Sequence, residues 1–218
     1  MARLHRGILR TLLGRIVAGD LPVGANLPKE VDLAAELSAS RGVVRECIRA
    51  LEERGVVRVT HGHGARVEPM GRWDVLDPEV LVAAGPRLAV EATEAHVIVA
   101  GELAALAAAR SGPPAVLGGE LARRAAERPP PALERLEAAV EGVETDAGEP
   151  ARRAFDDALA EAAGNRPLAR VAAELSAALG GPAPARPDRY RRVLEAVRAG
   201  DPAAARAAMA AITGARPR

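Results

Sequence analysis

The segment SRGVVRECIRALEERGVVRVTHGHGARVE, residues 40–68, decides the fold of the first third of the chain. Its first half predicts a helix over residues 41–54, because apolar residues recur at helical spacing after Ser40, whose hydroxyl suits an N-cap. A glycine follows and ends this helix. The second half predicts two strands, Val56–Thr60 and Ala65–Glu68, joined by a turn of histidine and glycine. The segment therefore predicts a helix that leads directly into a β-hairpin.

Two more helices are predicted upstream of this segment. Apolar residues at helical spacing between Leu4 and Val17 predict a first helix that ends near Gly19. Pro28 suits the first position of a second helix, whose buried side includes Leu33. The predicted order is therefore two helices, a turn, a third helix and a hairpin.

The rest of the chain predicts a linker followed by helices. Residues 69–86 contain three prolines and two glycines around one short helical turn after Asp77, a composition typical of a linker. From Arg87 onward every segment has a helical pattern, and clusters of glycine and proline separate the segments. These short separations predict about six or seven helices in an antiparallel bundle.

The composition of the 218-residue chain excludes several classes of protein. Hydrophobic residues make up 49% and charged residues 27%, which is enough apolar surface for a core and excludes a disordered chain. Trp73, Phe155 and Tyr190 are its three aromatic residues, too few for a protein that stacks single-stranded bases. Cys47 is its single cysteine, which excludes a disulfide framework and a zinc ribbon. We expect Cys47 to be a buried, inert apolar residue.

The charge distribution separates the first third of the chain from the rest. The net charge is +1, but basic residues are in excess over residues 1–70 and acidic residues over the remainder. A basic end on an acidic body is typical of a DNA-binding head. No uncharged apolar run approaches the ~18 residues of a membrane span, and arginines interrupt the N-terminal helix, unlike a signal peptide. We therefore expect a cytoplasmic protein with no membrane partner.

The third predicted helix carries a stripe of arginines. Arg41, Arg45 and Arg49 lie at i, i+4 and i+8, beside the apolar side of the helix. One interpretation is a solvated helix face, which is what most charged stripes are. The stripe follows a short turn and precedes a hairpin with glycines at its tip, and this context favours a helix that enters a DNA major groove.

No arrangement of residues in the sequence indicates an enzyme. There is no supported Ser-His-Asp order, no glycine-rich dinucleotide motif and no Walker loop. A separate hypothesis is a small helical enzyme or binding protein in which the first third of the chain serves for dimerisation. The arginine stripe argues against it, whereas a purified protein without salt-dependent affinity for DNA would favour it.

Five short motifs stand out in the first 68 residues. They are Leu27-Pro28-x-Glu30, Leu33-Ala34, Ser40-Arg41-x-x-Val44-Arg45-Glu46, Leu51-Glu52-x-x-Gly55-Val56-Val57 and His61-Gly62-x-Gly64-Ala65-x-Val67. Together they resemble the winged helix-turn-helix of the GntR transcription factors. The resemblance covers about 45 residues and is highly specific.

This resemblance implies a partner, double-stranded operator DNA, and a set of contacts. In the family, the arginines that match Arg41 and Arg45 contact bases and backbone, and the hydroxyl that matches Ser40 contacts phosphate. The residues at the hairpin tip that match His61 and Gly62 reach the minor groove. Val31 stands where the family commonly has an arginine, and the neighbouring lysine substitutes for part of that contact. The expected DNA-binding residues are Lys29, Ser40, Arg41, Arg45, Arg49, His61 and Gly62.

A second resemblance is carried by Trp73 to Leu81, by Phe155 and Leu159, by Ala162-x-Gly164-Asn165-x-Pro167-Leu168, and by the stretch from Val193 to Ala205. Through these residues the linker and the C-terminal half resemble the FadR subfamily and its all-helical ligand-binding domain.

Many such domains hold a divalent metal through one aspartate and three histidines. At those four positions this chain has Arg152, Asp156, Tyr190 and Ile212, so none matches. An arginine is a permanent cation and an isoleucine has no donor atom, so we expect no metal and no cofactor.

The residues at these positions suggest a rebuilt effector pocket. Arg152, Asp156 and Tyr190 are expected to form an internal polar network in which Arg152 binds a carboxylate or phosphate, with His96 lining the pocket. The alternative is that Arg152 pairs with Asp156, at i+4, as a structural bridge in a domain without ligand. A lone histidine on a helix is likewise often a satisfied or surface residue.

The sequence therefore predicts a mainly α protein with two domains and a regulatory function. Residues 1–69 form a winged helix-turn-helix with a small β-hairpin, residues 70–85 a linker, and residues 86–214 an all-α antiparallel helical bundle for effector binding and dimerisation. The expected function is a repressor that binds a palindromic operator as a homodimer and is released by a small organic acid such as a sugar acid. The alternative is a regulator with a degenerate, ligand-free C-terminal domain, controlled by a protein partner or by abundance.

Overall fold

A computed structural model describes residues 2–60, 62–111, 131–181 and 186–214. Contacts divide the chain into two compact units, residues 1–90 and residues 91–218. The described residues contain ten α-helices and one small antiparallel sheet of two strands. The mainly helical architecture predicted from the sequence, with a winged N-terminal domain and a helical C-terminal domain, is confirmed.

The first unit contains four helices and the hairpin, with a short 3-10 turn after it. In chain order these are α1 (Ala2–Ala18), α2 (Glu30–Glu36), α3 (Arg41–Glu53), β1 (Val57–Thr60), β2 (Gly64–Val67), the 3-10 turn (Met70–Arg72) and α4 (Pro78–Ala84). The hairpin from residue 57 to residue 67 is called the wing below.

All regular secondary structure in the described residues of the second unit is helical. Its first helix, α5, starts in the last residues of the first unit. The helices are α5 (Pro86–Ser111), α6 (Pro131–Thr145), α7 (Glu149–Ala163), α8 (Arg166–Ala178), α9 (Pro187–Ala199) and α10 (Pro202–Thr213).

The core of the first unit lies beneath α3. Val44, Cys47 and Leu51 are fully buried on one side of this helix, where they pack with Leu12 of α1 and Leu33 of α2. Burial of such side chains contributes about 1.5–3 kcal/mol each to folding. Because the apolar side is fixed against this core, the opposite side of α3 faces solvent.

The ends of α2 and α3 are set by two different caps. Ser40 is the N-cap of α3, as predicted, and its hydroxyl oxygen accepts a hydrogen bond from the Val43 amide at 3.3 Å. The predicted start of α2 at Pro28 is wrong, because the helix starts at Glu30. Lys29 has an extended backbone, and its carbonyl accepts the hydrogen bonds that begin the helix. Pro28 therefore lies outside the helix.

The wing is a regular antiparallel hairpin. Val57 pairs with Val67, and Thr60 pairs with Gly64. Strand β1 starts one residue after its predicted start, whereas β2 both starts and ends one residue before its predicted bounds. Gly62 in the turn and Gly64 at the start of β2 have φ of +78° and +83°, a conformation that glycine adopts without strain. This turn lets the backbone reverse between the two strands.

The chain after the wing packs on the core of the first unit. Trp73 is buried, and its indole N–H donates to the Glu68 carbonyl at 2.8 Å. Val80 of α4 is fully buried in the same core, and the Arg54 guanidinium lies 3.0 Å from the Asp77 carboxylate. Much of residues 70–85 is thereby tied to the winged domain.

The core of the second unit joins its helices through alanine, leucine, valine and one aromatic pair. Helix α7 packs against α6, and α9 packs against α6 and α10. Phe155 on α7 and Tyr190 on α9 are both buried, with ring centroids 4.7 Å apart and planes at 79°. This edge-to-face contact is a favourable arrangement for two rings.

Helix α5 is unusually apolar. It is the helix, among those described, that is long and apolar enough to cross a membrane by length and composition. Half of its most apolar window is buried inside the structure, as in the core helix of a globular domain. Its composition therefore carries no argument for a membrane span.

Candidate nucleic-acid interface

The solvent side of α3 presents the arginine stripe predicted from the sequence. The side chains of Arg45 and Arg49 are each 68% exposed, and Arg41 is exposed at the start of the helix. We call Arg41, Arg45 and Arg49 the recognition face. These guanidinium groups are permanent cations, and each offers several N–H donors to phosphate oxygens or base edges.

The N-terminal end of α3 adds donors beside the recognition face. Ser40 is exposed, and because its oxygen already caps the helix, its hydroxyl proton is left to donate. The first turn of α3 contains no acidic residue, so the positive end of the helix dipole is not neutralised there. Lys29, the N-cap of α2, is exposed as well. This end of α3 can accept a phosphate.

Arg45 makes an interhelical ion pair with Glu30 at the start of α2. Its Nε lies 3.2 Å from both carboxylate oxygens, and its Nη2 lies 2.8 Å from Oε2. The hydrogen bond from Arg45 lowers the pKa of the Glu30 carboxyl below its usual range. Sequence reasoning missed this partner because the two residues lie on different helices, outside the i+4 spacing that reveals intrahelical pairs.

Arg49 is held more loosely. It lies 3.7 Å from Glu46 on the same helix, and both side chains are at least 60% exposed. Exposed ion pairs of this kind contribute about 0–1 kcal/mol and are screened by salt. Arg49 can therefore exchange this carboxylate for a phosphate at low cost.

Two side-chain hydrogen bonds connect the wing to the rest of the domain, in addition to the backbone hydrogen bonds between β2 and residues 24–27. The Val59 amide donates to the Glu52 carboxylate of α3 at 2.9 Å, which fixes the wing beside the recognition face. Arg66 of β2 donates to the Gly24 carbonyl at 2.8 Å, so this arginine supports a loop. Gly62 at the tip is exposed, and a Cβ added there would have nothing within 4 Å of it. His61 lies outside the described residues.

The effector candidates lie in the second unit on three helices. His96 on α5 is 6% exposed and Tyr190 on α9 is 2% exposed. Arg152 and Asp156 on α7 are half-buried. Tyr190 meets α7 through Phe155, and Asp156 also lines a cavity of about 150 Å³ with Ser176 of α8. Their convergence on one ligand stays a prediction.

The residues at the four metal positions of the resembling domains do not assemble ligands here. Tyr190 and Ile212 are both buried in the apolar core of the second unit. Within the described ranges, no group of three or more histidine, cysteine, aspartate or glutamate side chains is placed to hold a metal ion. Ile212 offers no donor atom, so these positions do not fit a metal.

Cys47 lies inside the first core, behind the recognition face. It is fully buried, and its Sγ lies 3.5 Å from the His5 carbonyl. Burial raises the pKa of its thiol, which disfavours the reactive thiolate. Its place is that of a small packing residue.

Two family profiles match the chain in the order of its two units. Residues 4–67 match the profile of bacterial regulatory proteins, gntR family. Residues 114–215 match the profile of the FCD domain. The first match contains the whole recognition face and the wing, and the second contains most of the described helices of the second unit.

Curated relatives match part of the chain. The uncharacterized HTH-type transcriptional regulator Rv0494 of Mycobacterium tuberculosis is 35% identical over 113 residues, 51% of this chain and 47% of that protein. The galactonate operon transcriptional repressor of Escherichia coli is 36% identical over 74 residues, 34% of this chain and 32% of that protein. The matched part of the chain thus spans less than half the length of either relative.

A solved structure matches over nearly the full length. Lar, which controls the expression of the Listeria monocytogenes agr system, superposes with a TM-score of 0.50 and 19% identity. The match covers 96% of this chain and 93% of that one. At this identity the likeness concerns the fold alone.

Proposed function

We propose that the chain, whose residues 4–67 match the gntR family profile and whose residues 114–215 match the FCD domain profile, is a regulator of this family that represses transcription by binding a palindromic operator as a homodimer. The observation that supports this most is the exposed recognition face of α3, held beside an exposed glycine turn. A solvent-facing row of arginines on a helix fixed by its opposite side is the geometry of major-groove binding. We place this activity in the cytoplasm, where the operator is.

The proposed contacts follow from the position of each group. Arg41 and Arg45 reach base edges and phosphates in the major groove, and Arg49 supports the docking through phosphate. The Ser40 hydroxyl and the N-terminal end of α3 bind a phosphate oxygen. Lys29 adds a further backbone contact. We assign Gly62, together with His61 as expected from the sequence, to the minor groove, where a residue without a side chain lets the backbone approach.

A symmetric dimer explains the proposed operator symmetry. Two copies of the head related by a two-fold axis bind two half-sites of opposite orientation, so the operator is palindromic. The half-sites are then separated by about one helical turn, roughly 10 base pairs centre to centre. We assign dimerisation to the helical second unit.

The second unit is the proposed effector domain. Arg152 binds the carboxylate of a small organic acid, such as a sugar acid, in a bidentate pair, with Asp156, Tyr190 and His96 as further lining groups. Binding shifts the equilibrium between the operator-binding and released states, typically with a coupling of about 1–3 kcal/mol. The alternative is that Arg152 and Asp156 are structural, and that a protein partner or abundance controls the regulator.

Selection of genomic fragments by the purified full chain tests the DNA-binding part. We expect enrichment of one short palindrome, and a footprint over two half-sites about one turn apart. The binding constant should fall steeply with salt, because the recognition face displaces counterions from phosphates. Recovery of fragments without a shared sequence, at any salt concentration, would contradict sequence-specific regulation.

Effector binding should appear as a ligand-dependent change in melting temperature. A panel of sugar acids and other small organic acids should contain at least one that stabilises the wild-type chain, by about 2.7 kcal/mol at one hundred times its dissociation constant. Arg152→Ala should abolish that stabilisation. Arg153→Ala is the matched control, since Arg153 is its neighbour on α7, is 63% exposed and pairs with Glu149. Stabilisation that survives in Arg152→Ala would remove Arg152 from the site, and no hit in the panel would favour the ligand-free alternative.

A further inference from the structure

The ion pair between Glu30 and Arg45 places a carboxylate inside the proposed DNA interface. Glu30 is the first residue of α2, and its side chain meets Arg45 in the second turn of α3. A carboxylate there repels the phosphate backbone, which is costly in a surface that binds DNA through cations. Such a group calls for a role other than affinity.

From the geometry of this pair, we infer that Glu30 is a positioning residue: it orients Arg45 for the end-on reading of a guanine and limits its capture by phosphates. This inference rests on the proposed function of the recognition face. Glu30 thus makes no contact with DNA itself and still influences which DNA sequence is bound.

The atoms of the pair show which donors Arg45 keeps for DNA. Glu30 occupies the side edge of the guanidinium, through Nε and Nη2. The end of the group, formed by Nη1 and the second proton of Nη2, lies on the side away from that carboxylate. A guanidinium presents parallel donors at its end, and these match the O6 and N7 acceptors of guanine in the major groove.

The pair also removes freedom from Arg45. An exposed arginine samples many rotamers, and fixing it costs conformational entropy whenever it binds. Both carboxylate oxygens within 3.2 Å of Nε, and Oε2 within 2.8 Å of Nη2, hold the plane of the guanidinium before DNA arrives. A guanidinium held in one orientation binds well to the pair of acceptors that its end faces. It binds less well to phosphates that lie in other directions.

Glu30 further lowers the positive charge of the recognition face. Its carboxylate interacts with Arg41 as well as Arg45. Non-specific binding depends on the number of phosphates that cations neutralise, whereas a base contact depends on geometry. One carboxylate therefore weakens binding to any DNA more than it weakens binding to the matching sequence.

The first variant is Glu30→Gln, which keeps the size of the side chain and removes its charge. The matched control is Glu36→Gln on the same helix. Glu36 accepts a hydrogen bond from Arg15 at 2.9 Å, so its change has the same effect on net charge and also breaks an arginine pair, but outside the recognition face. Circular dichroism of both variants should match the wild type, because exposed ion pairs contribute little to stability.

The probes are the duplex enriched by the wild-type chain and a scrambled duplex of the same composition. Fluorescence anisotropy over a range of salt concentrations gives the affinity for each. For Glu30→Gln we expect tighter binding to the scrambled duplex and a fall of about tenfold in the ratio of the two affinities. Its salt dependence should steepen by about 1.8, because each of the two protomers gains one phosphate contact. The ratio for Glu36→Gln should equal that of the wild type.

Replacement of single guanines by 7-deazaguanine tests the guanine contact itself, because it removes the N7 acceptor alone. The wild type should lose about tenfold in affinity at one guanine of each half-site, and Glu30→Gln should lose much less there. An unchanged affinity ratio in Glu30→Gln, or a wild type insensitive to every N7 replacement, would overturn the inference. A wild type that fails to distinguish the enriched from the scrambled duplex would instead overturn the proposed function, and the inference with it.

Discussion

Replacement of Arg45 by alanine is expected to lower the affinity for the enriched operator by about a hundredfold or more. One bidentate contact to a guanine is worth about 1–3 kcal/mol of discrimination, and a dimer loses two of them. The fold should remain intact, because the Arg45 side chain is 68% exposed and its pair with Glu30 lies at the surface. Anisotropy titrations of the labelled duplex at fixed salt give the affinity ratio between variant and wild type.

The control for this variant is Arg153→Ala, which removes the same charge from an exposed ion pair in the second unit. It should bind the operator with the affinity of the wild type. Binding of Arg45→Ala to the scrambled duplex should fall much less than binding to the operator, since phosphate attraction remains from the other cations. An operator affinity that Arg45→Ala leaves unchanged would remove Arg45 from the interface.

Replacement of Gly55 by alanine is expected to destabilise the first unit by about 3 kcal/mol or more. Gly55 follows α3 and has φ of +67°, a conformation that costs an L-residue about 1 kcal/mol. An added Cβ would also overlap the backbone carbonyl of Arg72, in the 3-10 turn after the wing. A backbone obstacle cannot rotate away, so the chain has to shift where α3 leads into the wing.

Gly19→Ala is the matched control for Gly55→Ala. Gly19 also has a positive φ, +87°, but nothing lies within 4 Å of an added Cβ. It should cost about 1 kcal/mol, the conformational part alone. Urea unfolding followed by the fluorescence of Trp73, the single tryptophan and a buried residue of the first unit, reports both changes. Equal urea midpoints for the two variants would contradict the predicted clash between a Cβ at residue 55 and the Arg72 carbonyl.

Local signals in the sequence were sufficient for the recognition face. The helix α3, its cap at Ser40 and the solvent side with Arg41, Arg45 and Arg49 all follow from residues within four positions of one another. The start of α2 was misplaced by two residues. Pro28 suits both the first turn of a helix and an extended segment before it, and the extended backbone of Lys29 decides between them.

The contacts between elements could not be read from the sequence. Glu30 meets Arg45, Glu52 meets the wing at Val59, and Arg66 supports the loop at Gly24, each through tertiary packing. From the sequence alone, many arginines are equally suitable partners for any one carboxylate. The packing of α2 and the wing against α3 selects one.

The second unit illustrates the same limit for an internal site. The helical segments follow from the sequence pattern, whereas the burial of Phe155, Tyr190 and Ile212 in one apolar core comes from the structure. A polar pocket depends on how several helices meet, and spacing within one helix does not determine that. The roles of Arg152, Asp156 and His96 in effector binding therefore rest on the ligand screen.

The central claim is that the winged domain reads a DNA sequence through the face that contains Arg41, Arg45 and Arg49. Its most direct test is the affinity of the wild-type full chain for the enriched duplex against the scrambled duplex, at about 0.15 M salt and without added ligand. We predict binding at least about a thousandfold tighter to the enriched duplex, as specific regulators show. Equal affinities for the two duplexes, with the same salt dependence, would mean that the face binds phosphates alone and would contradict the claim.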